Sequence, residues 1–309
     1  SPQSPVVGAL RLASKRGKKV TAYVEIKARF DELNNVRQAK ELKRAGVRVV
    51  QSFGSLKVHG KVTQVFRDEG GREVSYLHIG TGNYHPTTAR QYTDLGLLTT
   101  DEALGREIAA YFTSITRRAA TPVYQDLLVA PRNLHGRILR HIHAETKLQK
   151  AGVRGHIIGK MNALVDPDII QALYEASCAG VKIELLVRGI CCLRPGIRGL
   201  SENIRVVSIV DRFLELSRIY YFHAGGAEKL YLSSADWMPR NFLTRFELAF
   251  PIKDASLKRY IRDVILANGR PRPVVQVRTG ERQRWRFVNA SNARYLRLSL
   301  PGEQFVLIG

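Results

Sequence analysis

Apolar positions recur along this chain with two periods, and the changes of period predict its secondary structure. Apolar residues three or four apart indicate helices, and short runs rich in Val, Ile and aromatic residues indicate strands. Helices are predicted at 4–17, 34–45, 101–115, 132–151, 166–179 and 254–266, and strands at 20–26, 47–53, 61–67, 74–79, 156–161, 182–187, 204–210, 217–222, 229–234 and 246–250. This alternation predicts an α/β fold.

The order of elements also predicts how the chain divides. Strand, helix and strand over 20–53 indicate a βαβ unit. The polar segment 117–126, which contains Pro122, is the expected boundary, and the alternation then starts again. From Gly269 onwards eight arginines and two acids accompany short strand-like runs. We therefore predict two α/β domains facing a shared cleft, at 1–120 and 121–268, and a β-rich tail at 269–309.

Composition narrows the function classes. Lys and Arg number 49 against 27 Asp and Glu, a formal charge of +22, which fits a solvated basic surface as well as an anionic partner such as a nucleic acid, an acidic membrane surface or a phosphate polymer. No run approaches the roughly 18 apolar residues of a membrane span. The chain opens with Ser1, so we expect an upstream part to be missing. Its three cysteines are odd in number, and Cys191 and Cys192 are adjacent, which predicts reduced structural thiols in a cytoplasmic protein.

The first candidate site is His59-Gly60-Lys61. On a strand, residues two apart point to the same face, so the imidazole would stand beside the Lys61 ammonium, with Lys57 pointing the same way. A neutral imidazole can attack phosphorus, and cations offset charge on the transferred group. A lone histidine is more often structural, but two flanking lysines favour a phosphate site.

A glycine-rich turn follows this site. Gly80-Thr81-Gly82-Asn83 offers backbone and side-chain donors that can cradle a phosphate, although a plain tight turn has the same pattern. The second half has a faint counterpart, in which Leu214–Arg218 precedes a small-residue turn at 233–236 that ends in Asp236. Two such units facing each other would line one cleft.

Four further residues have chemistry that suits a nucleotide. Arg29 and Arg188 each follow a predicted strand, where ligands gather in open α/β sheets, and the guanidinium fork binds two phosphate oxygens at once. Tyr92 and Trp237 are candidates for stacking on a nucleobase, although such aromatics more often belong to the core or its rim.

Longer runs resemble one family. They are KARFDELNN, LKVHGKV, HIGTGNYHPTTARQYTDLGLLT, KMNALVDPDIIQALYEASCAGVKIELLVRGICCLRPG, GLSENIRVVSIVDRFLE and YLSSADWMPRN, and they resemble the polyphosphate kinase family over about residues 2–267. The resemblance implies that both α/β domains have a phospholipase D-like fold.

The resemblance also implies an activity and a set of site residues. It implies reversible transfer of the terminal phosphate of ATP to inorganic polyphosphate, with Mg²⁺, through phosphorylation of His59. Tyr92 and Arg188 match positions that contact ATP, and Asn83 is expected to bind phosphate. Arg29 matches a position associated with phosphate and magnesium, which must act through phosphate oxygens because arginine cannot ligate a cation. The expected partners are ATP, ADP and polyphosphate, and no specific nucleic acid is expected. The family forms homo-oligomers. Peripheral association with a membrane is left open as an alternative.

The chain departs from the family pattern in three ways. The family carries two earlier domains and a further arginine that this sequence lacks. Its second cleft histidine falls at Leu216, which cannot donate a proton, and losing a positioned general acid typically costs about 10²–10⁴ in rate. Arg218 remains for charge stabilisation. The tail resembles a cupredoxin fragment of multicopper oxidases, but no His or Cys follows His223 to ligate copper.

Three functions are therefore weighed. The first is a polyphosphate kinase module that uses a phosphohistidine. The second is a non-catalytic polyphosphate- or polyanion-binding fragment, because of Leu216, the missing domains and the charge. The third, less favoured, is a phospholipase D-like phosphodiesterase.

Overall fold

The computed structural model describes residues 4–26, 32–51, 56–85, 88–117, 122–209 and 214–269. The described part is a mixed α/β protein, which confirms the predicted fold class. None of its helices combines the length and the apolar character required to cross a membrane. Residues 118–121 of the predicted boundary segment 117–126, and all of the predicted tail beyond Gly269, lie outside the described residues.

The described residues of the first half form three helices and seven strands. The helices are α1 Pro5–Lys15, α2 Glu32–Arg44 and α3 Glu102–Arg117. The strands are β1 Thr21–Val24, β2 Arg48–Gln51, β3 Lys57–Val58, β4 Lys61–Glu69, β5 Arg72–Gly80, β6 Tyr92–Thr93 and β7 Gly96–Thr99, with a 3₁₀ turn at Thr88–Arg90.

In the second half, the part of the chain that the structure describes forms four helices and eight strands. The helices are α4 Leu134–Lys150, α5 Pro167–Cys178, α6 Pro239–Leu243 and α7 Ala255–Gly269. The strands are β8 Leu128–Ala130, β9 His156–Met161, β10 Lys182–Val187, β11 Ile204–Val207, β12 Leu214–Glu215, β13 Arg218–Phe222, β14 Lys229–Ser233 and β15 Arg245–Pro251, with a 3₁₀ turn at Ala224–Gly226.

The predicted βαβ unit is present in the first half. β1 and β2 pair in parallel, with Thr21 opposite Arg48, and α2 connects them. The helix ends where predicted because Gly46 has φ +86°, a left-handed conformation that glycine adopts without strain. Because β1 and β2 run in parallel, the loops that precede these two strands lie side by side.

One eight-stranded sheet organises the second half. Its order is β11-β10-β9-β13-β14-β15-β3, with β8 also paired to β15. β3 belongs to the first half of the chain, and its two residues join in parallel to β15, with Lys57 opposite Arg245 and Val58 opposite Phe246. This pairing connects the two halves through backbone hydrogen bonds.

The hydrophobic core lies on both faces of this sheet. Successive residues of a strand point to opposite faces, so Ile157 belongs to the buried cluster that includes Ile142 of α4 and Leu173 of α5, whereas Ile158 belongs to the cluster that includes Ile108 of α3. All of these side chains are buried, and each contributes about 1.5–3 kcal/mol relative to exposure. Because α3 comes from the first half, the two halves share one of the two core layers.

Candidate active site

His59 lies where the first half of the chain meets the sheet of the second half. The backbone N–H groups of His59 and Gly60 both donate to the carbonyl of Phe246, at 2.9 and 3.2 Å. The strand is therefore interrupted between β3 and β4, so the prediction of one continuous strand through Lys57, His59 and Lys61 is wrong. The predicted proximity of the imidazole and the Lys61 ammonium is nevertheless present, because the charge of Lys61 acts on His59 and both act on the next residue of β15, Glu247.

A buried carboxylate fixes the imidazole. His59 Nδ1 and Glu247 Oε2 are 2.8 Å apart, and Glu247 is fully buried. Ser234 donates to the same carboxylate at 2.5 Å and Asn241 at 2.6 Å. Burial raises the pKa of Glu247, but the charges of His59 and Lys61 and the hydrogen bonds outweigh it, so its pKa lies below the ordinary value. An ionised Glu247 accepts a hydrogen bond from the Nδ1–H group, which keeps the proton on Nδ1 and leaves Nε2 of His59 with its lone pair.

The imidazole itself is held neutral. Burial, followed by the positive charge of Lys61, lowers the pKa of His59 below its ordinary value, despite the opposing effect of Glu247. A neutral ring with its proton on Nδ1 is the nucleophilic form of histidine. The site thus supplies the tautomer and the charge state that attack on phosphorus needs.

Two buried cations stand near this ring. Lys61 is 8% exposed, and burial together with the charge of Arg218 lowers its pKa to about 7 against the attraction of Glu247. Arg218 is 5% exposed and donates from Nε and Nη2 to the two oxygens of Asp236, at 2.8 and 3.0 Å. A third donor, Nη1, bonds the carbonyl of Leu216 at 3.3 Å. These three hydrogen bonds fix the guanidinium, and two of its five N–H groups have no hydrogen-bond partner among the described residues.

The faint internal repeat has a structural counterpart. Lys61 pairs with Gly80 across β4 and β5, and Arg218 pairs with Ser233 across β13 and β14. In both halves a basic residue at the start of one strand lies opposite the small residue at the end of its partner. The charge of Asp94 acts on Lys61, and both Lys61 and Arg218 act on Asp94, so the two units meet around one cluster.

The glycine turn after β5 packs against a carboxylate. A Cβ on Gly82 would lie 2.1 Å from Oδ2 of Asp94, so only glycine fits there. Thr81 Oγ1 donates to Oδ1 of Asp94 at 2.9 Å. Gly82 is therefore explained by the close approach of Asp94. Asn83 is exposed at the end of this turn, and its phosphate contact stays a prediction.

The remaining predicted residues differ in their relation to this cluster. Tyr92 lies in β6, which pairs in parallel with β12 so that Tyr92 is opposite Leu214, two residues from the half-buried Leu216. Arg188 follows β10 and is half-buried, and its Nε is buried without a hydrogen-bond partner among the described residues. Arg29 lies outside the described residues.

One nucleotide-stacking candidate is wrong. Trp237 has an exposed fraction of 0% and packs against Tyr220, with ring centroids 5.2 Å apart. A base cannot reach a side chain without exposed surface. The alternative interpretation of this tryptophan, as a core residue, is therefore correct.

Sequence reasoning missed two acidic residues of the site, Glu247 and Asp94. Glu247 interrupts the apolar run of β15, and a single charge in such a run indicates a buried, paired group. That signal was present in the sequence. Asp94 has no comparable signal, because it follows a two-residue strand in a polar segment.

Two groups of carboxylate and histidine side chains are candidates for holding a metal ion. Near His59, both oxygens of Glu247 and one oxygen of Asp94 are engaged, so these described residues do not fit a protein-held Mg²⁺. Elsewhere, ligand atoms of His135, Asp166 and Asp168 lie within 4.8 Å of one another. Asp166 already caps α5 and bonds His135 at 3.0 Å, so a helix cap accounts for that cluster.

Comparisons with known proteins agree in pointing to one family. Residues 1–121 match the model of polyphosphate kinase C-terminal domain 1, and residues 127–291 match that of C-terminal domain 2. The second match extends into the segment for which a cupredoxin-like tail was predicted.

Similar relatives carry the same name. The polyphosphate kinase of Halalkalibacterium halodurans is 50% identical over 265 residues, which are 86% of this chain and 38% of that protein. The polyphosphate kinase of Bacillus anthracis is 48% identical with the same coverage. The crystal structure of polyphosphate kinase from Porphyromonas gingivalis has 41% identity and a TM-score of 0.78, and the match covers 87% of this chain and 44% of that one. The chain thus spans less than half the length of these relatives, and over that span it belongs to the polyphosphate kinase family.

Proposed function

We propose that this chain transfers the terminal phosphate of ATP to inorganic polyphosphate, reversibly, through a phosphohistidine at His59. The observation that carries the proposal is the buried Glu247 carboxylate, 2.8 Å from Nδ1 of a neutral His59, with Lys61 and Arg218 close by. The names of the relatives support the choice of ATP and polyphosphate as substrates.

The transfer has two balanced steps. The lone pair of His59 Nε2 attacks the γ-phosphorus of ATP, the bond from that phosphorus to the bridging oxygen breaks, and ADP leaves with the electron pair. The phosphorylated ring is positive, and the Glu247 carboxylate 2.8 Å from Nδ1 stabilises it. A terminal oxygen of polyphosphate then attacks the same phosphorus, and the N–P bond breaks to restore neutral His59.

The two cations have different parts in this scheme. Arg218, held on Asp236, offers fixed donors to the equatorial oxygens of the transferred group. Burial lowers the pKa of Lys61 to about 7, so its charged form is stabilised most when a phosphoryl group brings negative charge beside it. Interactions that strengthen as charge develops are those that accelerate the reaction.

ATP is proposed to bind beside this cluster. Tyr92 lies next to the segment that carries Leu216, which suits a contact with the nucleotide. The Nε of Arg188, which has no hydrogen-bond partner in the described part of the chain, suits a phosphate oxygen. Magnesium belongs to the proposal as part of the substrate, MgATP, since Mg²⁺ is commonly held by substrate phosphates. Three free cysteines support a reducing compartment, and we propose the cytoplasm.

The decisive experiment is labelling with γ-³²P-ATP and Mg²⁺. We expect acid-labile, alkali-stable label on the wild-type protein and none on His59→Ala, whereas His143→Ala, which changes an exposed histidine, keeps the label. Label that persists in His59→Ala, or no label in any protein including Leu216→His, would refute the phosphohistidine.

Leu216 favours a second candidate, a polyanion-binding fragment without turnover. A leucine there removes a proton donor, so polymer synthesis by Leu216→His should exceed that of the wild type by about 10²–10⁴ if the cleft is otherwise complete. Phosphohistidine formation without synthesis in either protein, together with salt-sensitive polyphosphate binding, would favour the second candidate.

A further inference from the structure

Seven exposed cations lie together at one end of the first half, away from the catalytic cluster. They are Lys15, Arg16, Lys18, Lys19, Lys43, Arg44 and Arg48, which we call the distal patch. We propose that the distal patch is a second binding surface for polyphosphate, which holds the polymer outside the active site. This inference rests on the proposed function.

The fold brings the seven residues together from two segments, 15–19 and 43–48. The C-terminal ends of α1 and α2 meet, since a Cβ on Gly46 would lie 3.1 Å from Ser14 Oγ. The parallel pairing of β1 with β2 sets Thr21 opposite Arg48, so the loops that precede both strands are adjacent. Lys18 and Lys19 precede β1 directly, and Lys43 and Arg44 end α2.

The patch has a large excess of positive charge. Among the described residues, none of the seven has an ion-pair partner, and the nearby acid Glu41 is paired with Arg11 at 3.5 Å. Two helix C-termini contribute roughly half a negative charge each, which leaves about six positive charges. Cations at helix ends can simply offset the helix dipole, but Lys18, Lys19 and Arg48 lie outside both helices.

The position relative to His59 suits a long polymer. Strand β1 leads from the patch to Glu25, whose carboxylate accepts the N–H of Val58 at 2.9 Å, next to His59. The six residue steps from Lys19 to Glu25 span about 20 Å at 3.3 Å per step in extended backbone. A short oligophosphate bound at His59 would not reach the patch, whereas a long chain would.

The composition of the patch favours polyphosphate over single-stranded nucleic acid. Residues 15–19 and 43–48 contain no aromatic side chain on which a base could stack. Electrostatic attraction alone suits a polymer that presents only phosphates. Such attraction depends steeply on salt, because binding releases condensed counterions.

The test compares two triple variants with equal loss of charge. The patch triple is Lys18→Gln, Lys19→Gln and Arg48→Gln, and the control triple is Lys147→Gln, Lys150→Gln and Arg198→Gln, all at exposed positions. The probes are long-chain polyphosphate and tripolyphosphate, and affinity is measured against salt concentration.

We expect the patch triple to bind long-chain polyphosphate about 10- to 100-fold more weakly at low salt. The slope of log affinity against log salt concentration should be less steep by about 0.7–0.9 per removed contact. Its affinity for tripolyphosphate and the labelling of His59 by ATP should be unchanged, and the control triple should behave as the wild type. A second patch triple, Lys15→Gln, Arg16→Gln and Lys43→Gln, should reproduce the result.

Three results would overturn the proposal. The first is wild-type affinity of both patch triples for the long polymer. The second is an equal loss of affinity for long-chain polyphosphate and for tripolyphosphate, because the patch would then act through the active site. The third is tighter patch-dependent binding to phosphatidylserine vesicles or duplex DNA than to polyphosphate. If ATP labels no protein while both patch triples still bind long-chain polyphosphate more weakly than the wild type, the proposed phosphohistidine fails and the distal patch stands.

Discussion

Replacing Lys61 by methionine separates stability from function. Lys61 is buried, and its pKa is lowered to about 7 from an ordinary 10.5, chiefly by burial. Methionine has similar length and no charge, so Lys61→Met removes the cost of burying an ammonium group while keeping the packing. The variant should lose phosphohistidine formation, because the charge beside the phosphoryl group is gone.

The magnitude follows from the two pKa values. Between pH 7 and pH 10.5 the unfolded chain holds the Lys61 proton and the folded protein does not, so unfolding takes up a proton. The stability of the wild type relative to Lys61→Met should therefore rise with pH, by about 1.4 kcal/mol per pH unit and about 5 kcal/mol in total. Below pH 7 both states hold the proton and the relative stability is constant. Part of the stability that Lys61→Met gains over the wild type is offset, because Glu247 loses a neighbouring cation.

Urea unfolding of both proteins from pH 6 to pH 10 measures this difference directly. The free energy of unfolding of Lys61→Met should exceed that of the wild type most at pH 6 and approach it at pH 10. Lys150→Met, which changes an exposed lysine, should show no such slope. A difference that does not vary with pH, or one that grows as pH rises, would refute the argument that Lys61 is buried at a cost.

Three further substitutions test the cluster. Glu247→Gln should slow phosphohistidine formation by about 10²–10⁴, measured by single-turnover labelling, because an amide no longer fixes the tautomer of the imidazole; an unchanged rate would contradict this. Asp236→Asn should lower the urea-unfolding free energy by about 3 kcal/mol, since Arg218 loses its buried partner; a loss below about 0.5 kcal/mol, as at an ordinary surface site, would contradict it. Gly82→Ala should displace Asp94 and cost about 1–3 kcal/mol, and wild-type stability and labelling would show that Asp94 has room to move.

Elements with strong local signals were predictable from the sequence. The predicted strands at 156–161 and 182–187 coincide with β9 and β10, because continuous apolar runs between turn residues are characteristic of strands covered on both faces. Helix α2 lies within two residues of its prediction, since its apolar spacing and the glycine after it act locally.

Elements made by distant pairing were not predictable. Strands β3, β6 and β12 have two residues each, too few for any period, and each exists only because its partner lies in the other half of the chain. The same cause explains the break in the strand at His59. The local pattern predicted one strand through His59, but the carbonyl of Phe246 takes two successive N–H groups and interrupts it.

The pairing of β3 with β15 also sets a time for the appearance of the nucleophile during synthesis. His59 and the carboxylate that orients it are 188 residues apart in the chain. At 5–20 residues per second, a ribosome needs about 10–40 s to make the second after the first. During that interval the nascent first half has the histidine without its fixed tautomer. A growing chain is therefore expected to stay unreactive towards ATP until the sheet of the second half has formed.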